Sequence, residues 1–272
     1  MKIINTQAFP RTAFALCVLF YALLVVIGFN DIEEDAFIYF RFAKNIADGY
    51  GYVFNIGGEH IEACSGLLWL GFIALLTWLP LHIVLSTKLL CFIFGTLCIR
   101  EVFILSKRFI NDDFLSLLPA FLMVASIPFY TWSMRGLETA FYWFVMLWLV
   151  DWATSSTRVR YWWLPALVLL NARPEGFLML VAVLPYLFFY ERKASGFWRG
   201  SIIVAAGFFL VTLWRFWYFH DLVPHPFYFK VNPDHAQSFR NLLTYGWHSG
   251  WCLLAVLALP GVLKHWRKQD VA

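Results

Sequence analysis

Leu67-Leu68-Trp69-Leu70-Gly71-Phe72-Ile73-Ala74-Leu75-Leu76-Thr77-Trp78-Leu79-Pro80-Leu81-His82 is apolar enough to pass for a membrane span, and whether it crosses decides the topology of the whole chain. It belongs to one of nine apolar runs, at approximately 12–29, 67–85, 86–106, 114–131, 138–153, 161–172, 176–190, 200–219 and 241–263. A spanning helix takes about 20 residues. Residues 67–82 are interrupted by Pro80 and His82, and their helical part is too short to span easily. If all nine runs cross, with the N-terminus inside, then Lys107-Arg108, Arg158 with Arg160, and Arg192-Lys193 with Arg199 all fall outside. Lys and Arg instead collect in cytoplasmic loops. If 67–82 lies on or dips into the outer surface, twelve of the 21 basic residues fall inside: Lys2, Arg11, Lys107, Arg108, Arg158, Arg160, Arg192, Lys193, Arg199, Lys264, Arg267 and Lys268. The expectation is an all-α polytopic membrane protein with eight crossings and both termini cytoplasmic. It is a single domain over 1–272, with an outer loop at 30–85 that contains juxtamembrane helices.

Composition agrees with this class. Hydrophobic residues make up 61% of the 272 and charged residues 14%, with a mean hydropathy of +0.67. Soluble domains run at about 45–50% and about 25%. The pI of 8.8 follows from the cytoplasmic loops and carries no nucleic-acid motif, so no nucleic-acid partner is expected. Aromatics at 20% suit interfacial belts facing membrane lipid. Cys17, Cys91, Cys98 and Cys252 lie in apolar runs, Cys64 lies in a loop, and no CxxC is present, which excludes a standard zinc or disulfide framework. The N-terminal run reads as a retained signal anchor.

The topology sends every unusual polar motif to one outer face. The first is Asn30-Asp31-Ile32-Glu33-Glu34-Asp35, running into a helix that starts near Asp35. Helical spacing puts Glu34, Ile38, Arg41 and Asn45 on one face, and Phe37, Phe40 and Lys44 on another. Carboxylates beside a bilayer are costly unless hydrated, paired or metal-bound. One reading is a solvated acidic loop leading into an interfacial helix. The other gives Glu34 and Asp35 a hard divalent cation (Mg²⁺, Mn²⁺ or Ca²⁺) or the task of general base. Glu138 follows Arg135 and Gly136 and opens an apolar helix; it is either a dipole contact or a second acid. Arg173-Pro174-Glu175-Gly176 joins two helices, as a charged turn with an internal Arg–Glu pair or as an arginine that forks onto phosphate. Lys230 ends a loop stiffened by Pro224 and Pro226; His220 and His225 carry little weight as ligands. Asp112-Asp113 reads as a solvated inner loop, and Asp151, Arg100 and Glu101 as helix-end or packing charges.

Together these motifs resemble a known group. Glu34-Asp35-Ala36-Phe37-Ile38-Tyr39-Phe40-Arg41, Asn45, Gly49-Tyr50-Gly51-Tyr52-Val53-Phe54-Asn55, Glu62 and Leu68-Trp69 are similar to the first outer loop of GT-C fold membrane glycosyltransferases, in their terminal arabinofuranosyltransferase-like branch. Gly136-Leu137-Glu138-Thr139-Ala140 resembles that branch's second acidic motif, Arg173-Pro174-Glu175-Gly176 its arginine–proline–glutamate–glycine turn, and Asp221 through Lys230 its lysine-ended loop. In the last, Pro224-His225-Pro226 stands for a proline–asparagine–threonine-like run.

The resemblance covers about 12–235. It implies a GT-C-like bundle that transfers a sugar, with inversion, from a polyprenyl-phosphate donor to a glycan or lipid acceptor at the outer face of a bacterial inner membrane. It also implies a first-loop acid as base, often with a divalent cation. Carried over, Glu34 or Asp35 is the base and Glu138 the second acid, with all three as expected metal ligands. Arg173 and Lys230 neutralise the leaving phosphate. Arg41, Asn45, Arg135, Glu175 and His225 complete the substrate-binding set. Acids and cations are expected at opposite ends of one pocket, not paired with each other. The competing classes are a non-catalytic subunit, a lipid-carrier transporter, or a shortened and inactive family member.

Overall fold

Leu67–Leu76 forms a helix of ten residues, labelled α3 below, and so rises only about 15 Å, half the hydrocarbon thickness. Thr77 closes it, its hydroxyl donating to the Ala74 carbonyl at 2.7 Å. The chain then turns through Pro80 until His82 caps the next helix, its Nδ1 accepting from the Val84 amide at 3.4 Å. The non-crossing reading of 67–82 agrees with this length.

The computed structural model describes residues 8–191, 195–222, 224–226 and 240. Lys230 and the apolar run 241–263 lie outside the described residues. The chain divides into two compact units, Met1–Pro226 and Phe227–Ala272, and the elements below belong to the first. The described elements are helical, without strands: α1 (Ala8–Ile27), α2 (Glu34–Ala47), α3, α4 (Ile83–Ser106), α5 (Leu118–Ala125), α6 (Ile127–Ser133), α7 (Thr139–Ala153), α8 (Trp163–Ala172), α9 (Gly176–Glu191) and α10 (Ser195–Phe219). Each apolar run expected from the sequence up to 219 contains one or two of them.

Among the described residues, Ile83–Ser106 and Gly196–Phe219, 24 residues each, are long and apolar enough to cross a membrane. The run 114–131 becomes a bent pair, Leu115–Ala125 with Ile127–Ser133, at 65°, which counts as a third span if continuous. The bend falls where Ser126 caps α6, accepting from the Phe129 amide at 3.4 Å, ahead of Pro128 in the first turn. The other apolar helical stretches, Thr12–Ile27, Leu67–Leu76, Thr139–Ala153, Trp163–Ala172 and Gly176–Phe189, are 10–17 residues long.

α2 starts where Glu33 is extended and places Glu34 and Asp35 in the first turn, against the positive end of the dipole. It ends in a Schellman cap: the Tyr50 amide donates to the Asn45 carbonyl at 2.9 Å and the Gly49 amide to Ile46 at 3.1 Å, with Gly49 at φ +85°. The side chains that pack are Ala36, Tyr39, Phe40 and Ala43, at i, i+3, i+4 and i+7, against Trp69, Leu70, Ile73 and Ala74 of α3. The packed stripe therefore shares only Phe40 with the two faces expected from the sequence. Phe37, Ile38, Arg41 and Lys44 are exposed, while Asn45 is buried. This core continues through α7–α10, and a second one joins α1, α4, α5 and α6.

The helix connections gather at two ends. At one, Asp151 is fully buried between Arg108, which bonds it from the end of α4, and Arg158, whose Nη1 lies 2.8 Å from Oδ2. These are packing charges, as read. The loops with the unusual motifs meet at the other end.

Candidate functional site

Lys88, in the second turn of α4 and only 2% exposed, joins the first two motifs. Its ammonium donates to the carbonyl of Asp31 and, at 3.2 Å, to that of Met134. Alongside, the Glu33 amide donates to the Arg135 carbonyl at 3.0 Å, and Arg135 Nη1 donates to Glu33 Oε2 at 2.9 Å. The acidic loop and the 134–138 turn thus form one docked unit. Gly136 makes the turn possible: its φ is +90°, and its carbonyl accepts from Trp69 Nε1 at 3.2 Å.

Glu138 lies just past that turn, 3% exposed, at the N-cap of α7. Its Oε1 is 3.2 Å from Arg173 Nη1 and accepts from the Ser65 hydroxyl at 3.4 Å, while Oε2 is buried without a hydrogen-bond partner. The remaining edge of the Arg173 guanidinium forks onto Glu175, with Nε to Oε2 and Nη2 to Oε1 both 3.2 Å. Burial tends to lower the Arg173 pKa, but the Glu175 hydrogen bonds and the field of Glu138 outweigh it and raise the value. The Tyr39 hydroxyl accepts from the Gly66 amide at 2.9 Å, and burial together with the charge of Glu138 pushes its pKa well up. A Cβ on Gly66 would come within 3.1 Å of Glu138 Cγ, the Tyr39 hydroxyl and the Ala172 carbonyl, so this is the closest approach of three segments.

Glu138, Arg173 and Glu175 are in contact, and the acids and the cation pair with each other instead of standing apart. The internal Arg173–Glu175 pair is present. Glu34 and Asp35 are both exposed. Asp35 stands one turn before Tyr39 on the packed side of α2, whereas Glu34 stands one turn before exposed Ile38. Burial raises the Cys64 thiol pKa; its hydrogen bond with Tyr52 opposes the rise, and the carboxylates of Glu138, Glu62 and Asp35 add to it. The expected metal set of Glu34, Asp35 and Glu138 is not formed: among the described residues, no group of three His, Cys, Asp or Glu is placed to hold a metal. Arg173 and Ser65 take up Glu138 Oε1, and a guanidinium at that oxygen opposes a cation there.

Two residues in the expected substrate set bond to the loop backbone. Asn45 Nδ2 donates to the carbonyls of Val53 at 2.7 Å and Phe54 at 3.0 Å, and Arg41 Nε donates to Phe54 at 3.0 Å. His225 lies over the same loop, its amide donating to the Glu62 carbonyl at 3.0 Å and its Nε2 lying 3.0 Å from Asp221 Oδ2. Cys64, read as a loop residue, is buried, its amide donating to the Tyr52 hydroxyl at 3.2 Å.

Sequence reasoning missed Lys88, Arg215, Ser65 and Tyr39. For Lys88 and Arg215 the signal was there, since each is a cation inside an apolar run. Two apolar grooves of about 550 Å³ lie elsewhere, one between α1 and α5 and one between α9 and α10; neither is lined by a residue of the polar cluster. Comparison with protein-family models, curated proteins and solved structures found no match to this chain.

Proposed function

We propose that the chain is a multi-pass glycosyltransferase with eight crossings and both termini cytoplasmic, and that it transfers a sugar from a polyprenyl-phosphate donor to a glycan or lipid acceptor at the outer face of a bacterial inner membrane. The observation that carries this reading is the contact of Glu138 with Arg173, from two motifs far apart in the sequence. The sequence resemblance points to the same three segments.

In this reading Asp35 takes the proton of the acceptor hydroxyl, because it shares the packed side of α2 with Tyr39 and Glu34 does not. The hydroxyl oxygen attacks the anomeric carbon from the face opposite the leaving group. The bond from that carbon to the phosphate oxygen breaks, the pair of electrons leaves with the phosphate, and the configuration inverts. Arg173 supports the charge that grows on the phosphate, with Lys230 assigned the same task. Glu138 is fixed and buried, and it orients Arg173.

A second reading, a non-catalytic membrane subunit, is favoured by one observation: Glu33 with Arg135 and Glu138 with Arg173 form the closed pairs that a purely structural joint requires.

Single-turnover transfer from polyprenyl-phosphate sugars separates the two readings. Asp35→Asn is expected to lower transfer by about 10²–10⁴, as for loss of a general base, while Glu34→Gln leaves it within a few-fold. Undiminished transfer by Asp35→Asn, or no transfer by the unaltered protein with any such donor, puts the subunit reading ahead.

A further inference from the structure

We propose that the Glu175 carboxylate is an internal stand-in for the donor's phosphate: it occupies the fork of Arg173 until a phosphate group exchanges with it. The inference rests on the function proposed above and adds a step to donor binding. It comes from how the three nitrogens of one guanidinium are shared.

Arg173 has two carboxylate partners of opposite character. Nη1 faces Glu138, whose side chain is 4% exposed and held under the Gly66 and Tyr39 contacts. Nε and Nη2 face Glu175, whose side chain is 53% exposed. The buried partner cannot be replaced from solvent, and the exposed one can. Nε with Nη2 is also the guanidinium edge whose two parallel N–H groups match a pair of oxygens on carboxylate or phosphate. Glu175 uses that edge in full, with both bonds at 3.2 Å, so a phosphate reaching Arg173 by its matching edge meets Glu175 first.

The surroundings suit this exchange. Glu175 immediately precedes α9, and the turn is closed by the Gly176 amide to the Arg173 carbonyl at 3.0 Å and the Phe177 amide to Pro174 at 3.2 Å. The positive end of the α9 dipole therefore adds to Arg173 in attracting an anion. Glu138 keeps the guanidinium in place while the outer partner changes, and Tyr142 lies beneath it, 5.9 Å from ring centroid to guanidinium carbon. With Glu175 in the fork, Arg173 is neutralised and held in its binding geometry. The donor's phosphate, a diester, brings one negative charge and two free oxygens that match the same two N–H groups, and the polyprenyl monophosphate left after transfer carries about one to two charges; either can displace a single exposed carboxylate. No bond is made or broken in this step; one anion replaces another on the same two N–H groups.

The test uses the full chain in nanodiscs. Equilibrium binding of a polyprenyl monophosphate is measured in one arm and of inorganic phosphate in the other, for the unaltered protein, Glu175→Gln and Arg173→Ala. The inference expects Glu175→Gln to bind phosphate tighter by about five-fold, the scale of a favourable exposed ion pair, and Arg173→Ala to lose the binding of the unaltered protein. A gain in both arms shows that the fork takes phosphate as such, and a gain confined to the lipid arm shows that the chain must be anchored first. Equal or weaker binding by Glu175→Gln, with binding still lost in Arg173→Ala, overturns the stand-in and leaves the donor reading intact. Absence of binding in all three proteins, or binding indifferent to Arg173, overturns both.

Discussion

Arg215 Nε donates to both carboxylate oxygens of Glu62, at 3.0 and 2.9 Å, across a separation of 153 residues. Glu62 is 1% exposed and Arg215 6%, so the pair is closed from water. It ties the loop before α3 to the last turns of α10. Next to it the Tyr52 amide donates to the Tyr218 hydroxyl at 3.2 Å, and the Tyr52 and Phe219 rings meet edge to face at 5.0 Å. Removing one partner strands a buried charge, which costs about 3–5 kcal/mol. Glu62→Ala is therefore expected to lower the thermal midpoint of the purified protein strongly, and Glu62→Leu with Arg215→Met to recover most of the loss. A single variant that melts with the unaltered protein would remove the pair from the stability of the fold.

The same carboxylate sets a pH dependence. Burial pushes the Glu62 pKa above its ordinary 4.5; Arg215 opposes the rise and Asp221 adds to it. The folded state thus holds this proton to higher pH than the unfolded state does. The stabilisation from that proton is complete below about pH 4.5 and is lost as pH rises through the folded pKa. The difference in unfolding free energy between the unaltered protein and Glu62→Gln should fall with rising pH over that window. A flat or rising difference in denaturation measured from pH 4.5 to 7.5 contradicts the assignment.

Lys88→Met keeps bulk at the joint and removes the donor to Asp31 and Met134. Each orphaned buried carbonyl costs about 1–3 kcal/mol. The variant should be less stable, and its 28–66 loop should be cut faster under limited proteolysis. Cleavage at the unaltered rate would show that Glu33 with Arg135 suffices to dock the loop.

Two glycines should respond in opposite ways. A Cβ on Gly95 would lie 2.0 Å from the Tyr21 hydroxyl, on a ring whose OH donates to Ser133 at 2.8 Å. Gly95→Ala overpacks α1 against α4 and should cost about 1–3 kcal/mol. Gly71, inside α3, has nothing within 4 Å of its Cβ position, so Gly71→Ala should stabilise by about 0.5–1 kcal/mol through helix propensity. Thermal melts of the two variants decide this; equal shifts of one sign would contradict the packing.

Topology can be read with cysteines at exposed positions, Asn55 for the α2–α3 loop and Ser156 for the α7–α8 turn. Ser133, an obvious probe from sequence, is fully buried and unsuitable. With Cys252 replaced, an impermeant thiol reagent on intact cells should label Asn55→Cys at once and Ser156→Cys only after permeabilisation. The native Cys17, Cys64, Cys91 and Cys98 are buried and give low background. The reverse pattern would invert the topology and place the candidate site in the cytoplasm.

The helical class and the interruption after 67–79 were legible from the residues alone. Those properties are local: an apolar run of given length, then Pro80 and His82 after α3. The bend at Ser126 and Pro128, inside a run that reads as one span, emerged only in the structure. The sequence also singled out Glu138 and Arg173, because charges are rare in such a chain and stand out against it. Only the tertiary structure decided what those charges do. Pairing depends on which helix ends are neighbours, and no spacing along the chain shows that Glu138 touches Arg173, that Glu62 reaches Arg215, or that Lys88 joins the Asp31 and Met134 carbonyls. The same holds for Asn45 and Arg41, which read as free polar groups on an exposed helix until the 53–54 backbone folds back to take their donors. A buried charge or donor must find a partner within about 3 Å, and in a bundle of helices that partner comes from whichever segment packs beside it.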